Sequence, residues 1–279
     1  MGVRIVTDSI ADLPLALAEA KRIGVVPLYL TLGGRPYRDG IDLSREQFYS
    51  WLPTLRTPPT TATPGPATFR ELYERMAQEG ARQVVSIHVP SSLSSVANVA
   101  RLAAEETRSV QVTVLDAGTV SLGLGLVVLA AAEAAEAGAS VREVAALVAA
   151  QAERVHLLAA VETVEYLRRS GRVSPLLAGL AGVLQVKPVI KLHRGILTAE
   201  RVRTYSRAVE RIVAMVGEHY PWEKLAVVHA GVPQRAEALR QEVLARYPGA
   251  GVDMVGEFTP VIGAHTGPGI LGLICLARP

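Results

Sequence analysis

Short, β-branched runs alternate with helix-length segments along the first half of the chain. The runs at residues 3–7, 84–89 and 112–115 are bounded by polar residues, which is typical of buried strands. Helical patterns connect them, at residues 13–22, 68–78, 94–106 and 120–137. Alternation of this kind favours a parallel sheet with helical crossovers. The first half is therefore predicted to be a parallel-sheet α/β domain.

The pattern changes after residue 151. Residues 187–192 and 196–205 alternate as two strands around His193-Arg194-Gly195, which predicts a hairpin rather than a crossover. The other elements predicted here are helices at 151–169, 176–184, 208–219 and 234–247 and strands at 225–230, 252–257 and 270–277. This mixed, largely antiparallel pattern predicts a second α/β domain. We therefore expect two tightly packed domains, residues 1–153 and 154–279.

Composition limits the classes of function. Of 279 residues, 49% are hydrophobic and 5% aromatic, which supplies a sizeable core but a poor stacking platform for single-stranded nucleic acid. The 29 basic and 26 acidic residues are too evenly balanced for a nucleic-acid surface. Cys275 is the only cysteine, so no disulfide framework and no cysteine-based zinc site is expected. This cysteine usage predicts a cytoplasmic protein. The N-terminal apolar run ends at Asp8, so it is not expected to be a signal peptide, and the runs 122–132 and 173–190 are too short or too interrupted to span a bilayer.

Hydroxyl-rich turns follow all three predicted strands of the first domain. They are Thr7-Asp8-Ser9, Pro90-Ser91-Ser92-Leu93-Ser94-Ser95 and Asp116-Ala117-Gly118-Thr119. Ligands of open parallel sheets bind at the carboxyl ends of strands, and helices that start there favour an anionic group. Residues 57–68 add five threonines and four prolines without an ionisable side chain, a stiff, extended loop suited to holding a ligand. Taken singly, each turn is better explained as an ordinary helix cap, but together they favour a site.

Two further segments carry candidate polar groups. Residues 263–269 combine three glycines and a proline with His265 and Thr266, which predicts tight turns and a close approach of the backbone. Arg172 follows a glycine turn at the end of a predicted helix. There it is either solvated or presents its guanidinium to a phosphate or carboxylate.

Other signals indicate structure rather than chemistry. Thr68 and Glu71 match a capping box, the segment 37–42 a structural turn, and Gly123 with Gly125 a close helix contact. The six histidines form no closely spaced pair, so a metal enzyme is not expected. The chain also has no nucleophile elbow, no phosphate-binding P-loop and no dinucleotide fingerprint after the first strand.

Together, these motifs resemble the DegV family, the fatty-acid-binding subunits of bacterial fatty acid kinase. They run almost from end to end of the chain: Thr7-Asp8-Ser9-x-x-Asp12-Leu13-Pro14, Tyr37-x-Asp39-Gly40-x-Asp42, Thr61-x-x-Pro64-x-Pro66-x-x-Phe69, Leu93-Ser94, Glu165-Tyr166-Leu167-x-x-x-Gly171-Arg172 and Ile262-Gly263-x-His265-x-Gly267-Pro268-Gly269. The resemblance implies two α/β domains with a long-chain fatty acid between them. The acyl tail would lie in an apolar tunnel, with residues 122–129 and 176–184 as candidate walls.

The resemblance also implies roles for individual residues. Thr61 and Ser94, helped by the backbone amide of Ala62, would hold the carboxylate. Ser91, in the same turn as Ser94, is a further candidate for this contact. Arg172 and His265 match the family's polar pair near the head group, which is linked to the phosphorylated state and to the partner kinase. The chain departs from the family twice, with Thr-Ala-Thr-Pro at 61–64 for Thr-Ser-Gln-Pro and Leu-Ser-Ser-Val at 93–96 for Leu-Ser-Gly-Thr.

We therefore expect a carrier rather than an enzyme. It would bind a long-chain fatty acid without a cofactor or metal and present the carboxylate to a separate ATP-dependent fatty acid kinase. An acyltransferase, or transiently a membrane surface, would then receive the acyl phosphate, and nucleic acid would not be a partner. Two alternatives stay open: a lipid-binding sensor, and a hydrolase or acyltransferase that uses Ser94 or Ser92 with His265 and with Asp8 or Asp116.

Overall fold

A computed structural model of the chain describes residues 2–171 and 187–279. In this part of the chain the strands are β1 (Val3–Asp8), β2 (Gly24–Val26), β3 (Tyr29–Leu32), β4 (Arg35–Arg38), β5 (Thr60–Ala62), β6 (Gln83–His88), β7 (Gln111–Asp116), β8 (Val155–Ala160), β9 (Lys187–His193), β10 (Ile196–Val202), β11 (Trp222–His229), β12 (Met254–Glu257) and β13 (Leu271–Ala277). The α-helices of the same residues are α1 (Leu15–Ala20), α2 (Arg45–Trp51), α3 (Pro66–Gln78), α4 (Val96–Glu106), α5 (Leu122–Glu136), α6 (Val141–Ala152), α7 (Glu165–Ser170), α8 (Tyr205–Gly217), α9 (Pro233–Arg246) and α10 (Pro260–Thr266). Short 3₁₀ turns lie at Ser9–Ala11 and Leu52–Thr54.

The first sheet is parallel throughout, as predicted, with the strand order β2-β1-β6-β7. Alternate side chains of β1 pack into different apolar layers. Val3 and Ile5 belong to the core that includes α5, whereas Val6 belongs to the core formed with α3 and α4. Because helices cover both faces, the strands are nearly continuous apolar runs.

The second sheet is mixed, with the strand order β10-β9-β8-β13-β11-β12. Its pairs are antiparallel except for β11 and β12. The predicted hairpin is confirmed, because β9 and β10 pair antiparallel on either side of Arg194 and Gly195. The fold is therefore the mixed α/β arrangement expected from the sequence. The domain boundary after residue 153 stays a prediction; it falls between α6 and β8.

The predicted helix over residues 151–169 is wrong. α6 ends at Ala152, β8 follows, and α7 begins only at Glu165. All six residues of β8 are buried: Leu158 packs in the core beneath α8 and α9, whereas Leu157 belongs to the core shared with the first sheet. A strand that is buried on both faces has no polar alternation, so its sequence resembles that of a buried helix. The helix predicted at 176–184 lies outside the described residues.

The threonine- and proline-rich loop contributes an edge strand. β5 pairs antiparallel with β3 in a small sheet of order β4-β3-β5, so the extended conformation is confirmed for this part of the loop. α3 already begins at Pro66, with Gly65 as its N-cap residue. Thr68 therefore lies inside the first turn, and the predicted capping box of Thr68 and Glu71 is wrong.

Gly123 and Gly125 bring α5 close to its neighbours, as predicted. A Cβ atom on Gly123 would lie 2.5 Å from Oγ1 of Thr119, and one on Gly125 would lie 2.7 Å from the carbonyl oxygen of Ala11. These distances leave no room for a side chain, so α5 contacts the segment that follows β1. Within the part of the chain that the structure describes, neither α5 nor any other helix is long and apolar enough to cross a membrane.

Replacing Leu158 by alanine tests the two-sided burial of β8. Leu158 is 0% exposed, and we expect the cavity left by the truncation to lower the free energy of unfolding by about 2–5 kcal/mol. Urea titration measures this loss. Leu102→Ala on α4 is the control: Leu102 is 52% exposed, and its loss is expected to stay within about 0.5 kcal/mol. Equal losses in both variants would contradict the place of β8 in the core.

Candidate functional site

A cavity of about 360 Å³ lies between the parallel sheet and the mixed sheet. The second sheet supplies one wall. Leu157, Leu192 and Leu197 are register partners across β8, β9 and β10, and Ala159 is opposite Ile190 in the next row. Leu192 is 1% exposed and Leu157 5%. Three neighbouring strands thus form one apolar wall.

The other wall comes from the carboxyl ends of the parallel sheet. Ile10 follows β1, Val89 follows β6, and Val120 follows β7. The prediction that three strand ends meet at one crevice is therefore confirmed. Their hydroxyl groups do not all converge, however, because of the three turns only the second brings serines, Ser94 and Ser95, to the cavity.

Polar groups enter the cavity lining from three neighbouring segments. Oγ1 of Thr61 on β5 lies 2.7 Å from Nε2 of His265 on α10. Oγ1 of Thr63 lies 3.0 Å from Oγ of Ser95, which directly precedes α4. Ser94 belongs to the same lining. These contacts join β5, α10 and the start of α4 into one polar cluster.

The start of α4 adds backbone donors to this cluster. Ser95 is the N-cap residue of α4, but its side chain makes no capping hydrogen bond. The first amides of a helix have no acceptor within the helix, and they favour an anion that approaches them. Ser95 and Ala62 are exposed, in contrast to the buried leucines of the apolar wall. The cavity thus has a polar, solvent-facing part and a buried, apolar part.

Residues 263–266 form the end of a helix, contrary to the prediction, whereas the predicted tight turn is confirmed for residues 267–269. α10 extends to Thr266 and ends at Gly267, whose φ of +79° favours glycine. Gly263 lies inside the helix, where a Cβ atom would come within 2.6 Å of the Phe48 ring and 2.7 Å of the Tyr49 hydroxyl. The glycine is therefore required for close packing of α10 against α2, and this packing places His265 at the cavity.

The structure brings together most, but not all, of the predicted site residues. Thr61, Ala62, Ser94 and His265 line the same cavity. Ser91 does not belong to the described lining: it is exposed, and its backbone amide donates to the Asp116 carboxylate at 2.8 Å.

Three other predictions concern residues around the site. Arg172 and the candidate wall 176–184 lie outside the described residues. The second candidate wall, residues 122–129 of α5, is buried core and contributes nothing to the described lining.

Some lining residues carried no recognisable signal in the sequence. Ser170 lines the cavity as a single serine beside a more conspicuous motif, whereas Ser95 belongs to the predicted serine turn. The wall formed by β8 was hidden by its wrong assignment as a helix. In β9, by contrast, Ile190 and Leu192 alternate with Lys191, which is the one-sided pattern of a strand that faces a cavity.

A hydrogen-bonded Asp, His and Ser set exists, but it is sealed in the core. Nδ1 of His88 lies 2.8 Å from Oδ2 of Asp8, and Nε2 lies 2.7 Å from Oγ of Ser86. Tyr73 donates to the same Ser86 oxygen at 2.9 Å. Asp8, Ser86 and His88 are each 0% exposed. This set of hydrogen bonds satisfies buried polar groups, and its buried serine is not accessible to a ligand.

The catalytic set considered from the sequence is not assembled by the described contacts. Asp8 is engaged by His88, and Asp116 accepts from the backbone amides of residues 91 and 118. The Ser92 hydroxyl donates to the carbonyl oxygen of Gly195 at 2.7 Å. In the two described ranges, no group of three or more His, Cys, Asp or Glu side chains could hold a metal ion.

Comparison with known proteins gives concordant matches. The family model described as "Uncharacterised protein, DegV family" matches residues 2–278. A DegV domain-containing protein of Streptomyces coelicolor is 39% identical over 279 residues, covering 99% of each chain. A DegV family protein from Thermus thermophilus, solved as a fatty-acid-binding protein, is 35% identical with a TM-score of 0.90 and covers 100% of both chains. DegV of Bacillus subtilis, described as a fatty-acid-binding protein, is 29% identical with a TM-score of 0.90 over 99% of both chains.

Proposed function

The chain belongs to the DegV family, and we propose that it binds one long-chain fatty acid in the cavity between the parallel sheet and the mixed sheet. The contrast within the cavity is the observation that carries this proposal: a largely buried apolar wall and a cluster of hydroxyl groups that reaches solvent line the same cavity. The acyl chain lies along Leu157, Leu192 and Leu197, and the carboxylate lies at Thr61 and Ser94. Fatty-acid binding by the relatives from Thermus thermophilus and Bacillus subtilis supports the same ligand.

The acyl chain supplies most of the affinity. Burying about fifteen methylene groups at ~0.8 kcal/mol each amounts to roughly 12 kcal/mol of gross transfer free energy. Lost motion of the ligand and the ordering of side chains reduce this value considerably. A cavity of about 360 Å³ also falls within the range of small-molecule sites. The head group therefore needs no buried ion pair to stay bound.

Neutral hydroxyl groups hold the carboxylate. A hydroxyl both donates and accepts, so Thr61 can accept a hydrogen bond from His265 at Oγ1 and still donate its own proton to the ligand. Ser94 and the backbone amide of Ala62 supply further donors. The serine that the family usually has at position 62 is missing here, and Thr63 and Ser95 supply neighbouring hydroxyls.

The solvent-facing head group suits a carrier that works with a separate enzyme. A kinase that brings ATP phosphorylates the carboxylate where it reaches the surface, near the exposed residues Ala62 and Ser95. The acyl phosphate stays bound through its tail until an acyltransferase, or transiently a membrane surface, receives it. Arg172 and His265 act on the phosphorylated head group and the kinase rather than on the tail.

Native mass spectrometry tests the ligand directly. We expect the purified protein to carry one C14–C18 fatty acid, recovered chemically unchanged by lipid extraction, because burial of the acyl chain drives binding. Protein stripped of lipid should rebind palmitate in a one-to-one ratio. The proposal would be contradicted if the purified protein carried no fatty acid and also bound none after delipidation.

A matched pair of threonine variants tests the head-group contact. Thr61→Val removes a hydroxyl from the cavity, and we expect affinity for palmitate to fall about fivefold to tenfold, the effect of one lost hydrogen bond. Thr60→Val is the control, because Thr60 is the exposed neighbour on β5 and does not belong to the described lining. Isothermal titration with delipidated protein measures both. Equal losses would place the carboxylate elsewhere.

His265 and Arg172 should affect phosphorylation more than binding. We expect His265→Ala and Arg172→Ala to bind palmitate within about fivefold of the natural protein, since the buried tail supplies most of the affinity. Phosphorylation of the bound fatty acid by a partner kinase and ATP should fall at least about tenfold, the effect of removing one group that stabilises phosphoryl charge. If either variant abolished binding, that residue would belong to the primary carboxylate contact.

A further inference from the structure

Asp12 joins three distant segments through a buried carboxylate. Its side chain is 0% exposed. Oδ2 accepts a hydrogen bond from the hydroxyl of Ser121, just before α5. Oδ1 accepts one at 2.8 Å from the backbone amide of Thr259. The guanidinium of Arg45 on α2 lies 3.7 Å from Oδ1.

The contact with Thr259 holds the start of α10. Thr259 is the N-cap residue of this helix, and its own side chain makes no capping hydrogen bond. The carboxylate of Asp12 therefore meets the positive end of the helix. Seven helical residues at about 1.5 Å each extend roughly 10 Å, and His265 and Thr266 lie at the far end of this short span. A displacement at Thr259 consequently moves the residues that line the cavity.

Residues of α2, in the first half of the chain, also contact the segment just before α10. The hydroxyl of Tyr49 donates to the carbonyl oxygen of Phe258 at 3.0 Å, and Arg45 donates to the carbonyl oxygen of Glu257. The close contact of Gly263 with Phe48 and Tyr49 continues this packing along α10. In sequence, α10 lies between β12 and β13 of the second sheet, yet α2 from the first half of the chain packs against it and bonds to the residues just before it.

The Asp12 carboxyl can change its charge near neutral pH. Burial raises its pKa to about 7, although Arg45 and the hydrogen bonds from Ser121 and Thr259 act in the opposite direction. A negative charge on Asp39 raises the pKa of Asp12 further. Asp12 thus gains or loses a proton within the physiological range of pH.

The other ionisable groups around this carboxyl are Asp39, Tyr49 and Glu257. Burial raises the pKa of Asp39 to about 6 and lifts the pKa of Tyr49 well above its usual value, so the phenol stays neutral. Burial also raises the pKa of Glu257. His229 lies 3.6 Å from the Glu257 carboxylate, and burial lowers the pKa of this histidine. Arg45 is the cation that faces Asp12, and it also donates to the carbonyl oxygen of Glu257.

We infer that Asp12 is a positioning residue for the fatty-acid site, whose charged carboxylate holds α10 so that Ile262, His265 and Thr266 complete the cavity wall. The ligand in this inference rests on the proposed function. A charged acceptor binds an amide about twice as strongly as a neutral one. Protonation of Asp12 therefore weakens the bond to Thr259 and loosens α10. Affinity for fatty acid should rise as pH rises and Asp12 loses its proton.

The pH profile of palmitate binding between pH 6 and pH 8.5 tests this inference. We expect the natural protein to bind about fivefold more tightly at pH 8.5 than at pH 6, the effect of strengthening one hydrogen bond. Asp12→Asn keeps an acceptor for the Thr259 amide but cannot ionise, so its affinity should stay near the pH 6 value throughout. Because this variant keeps His265, a step caused by that histidine would persist in it and would overturn the inference.

Two further variants keep Asp12 and shift its titration in opposite directions. Asp39→Asn is the matched control, a neighbouring buried aspartate whose loss removes a negative charge, so the step should move to lower pH. Ser121→Ala removes a hydrogen bond that lowers the pKa of Asp12, so the step should move to higher pH. Failure of both shifts would show that another group titrates. These variants decide the question even if Asp12→Asn does not fold.

The δ1 methyl group of Ile262 reports the position of α10 without ligand. Ile262 lies on α10, lines the cavity and does not titrate. We expect its ¹H–¹³C signal to move between pH 6 and pH 8.5 in the natural protein but not in Asp12→Asn. A signal that stays fixed in both would overturn the positioning role. If the natural protein bound no fatty acid, the proposed function would fail, and the methyl signal would still decide whether Asp12 controls α10.

Discussion

Burial of β8 on both faces is the constraint on which the rest of the structure depends. Neighbouring side chains of this strand have opposite tasks: Leu158 packs beneath α8 and α9, whereas Leu157 and Ala159 line the cavity. Both faces must be apolar at once, and the strand must keep its register with β9 and β13. The cavity wall is therefore the reverse side of a packed core.

Polarity changes across the cavity. The apolar part would supply the affinity for the proposed ligand, and the polar part would hold its reactive head group. The buried part is lined by aliphatic side chains, and the part near solvent by threonine and serine hydroxyls. The described lining contains no lysine or arginine, so the carboxylate of the proposed fatty acid would meet hydroxyl groups and His265 there. In such a complex, a tail held by burial and a head held by single hydrogen bonds would let the head group change while the molecule stays bound. This division suits the proposed carrier role.

Carboxylates at the end of β1 stabilise the fold rather than contact the cavity. Asp8 accepts from His88 in a fully buried chain of hydrogen bonds, and Asp12 links the starts of α5 and α10. Removing either acceptor would leave buried donors without partners, which is costly in a protein interior. Asp8 and Asp12 belong to a motif that resembled a ligand site in the sequence. They therefore do not line the cavity but form hydrogen bonds with the segments around it.

Local patterns in the sequence determined the parallel first sheet, the β9–β10 hairpin and, through motif order, the family and four residues of the cavity lining: Thr61, Ala62, Ser94 and His265. Tertiary structure alone decided that residues 155–160 are a strand, because burial on both faces removes the alternation by which strands are recognised. It also made residues 263–266 the end of a helix, in which Gly263 packs on Phe48. The contact of Thr61 with His265 spans 204 residues. Periodicity and propensity describe local preferences, whereas such contacts depend on how the whole chain packs.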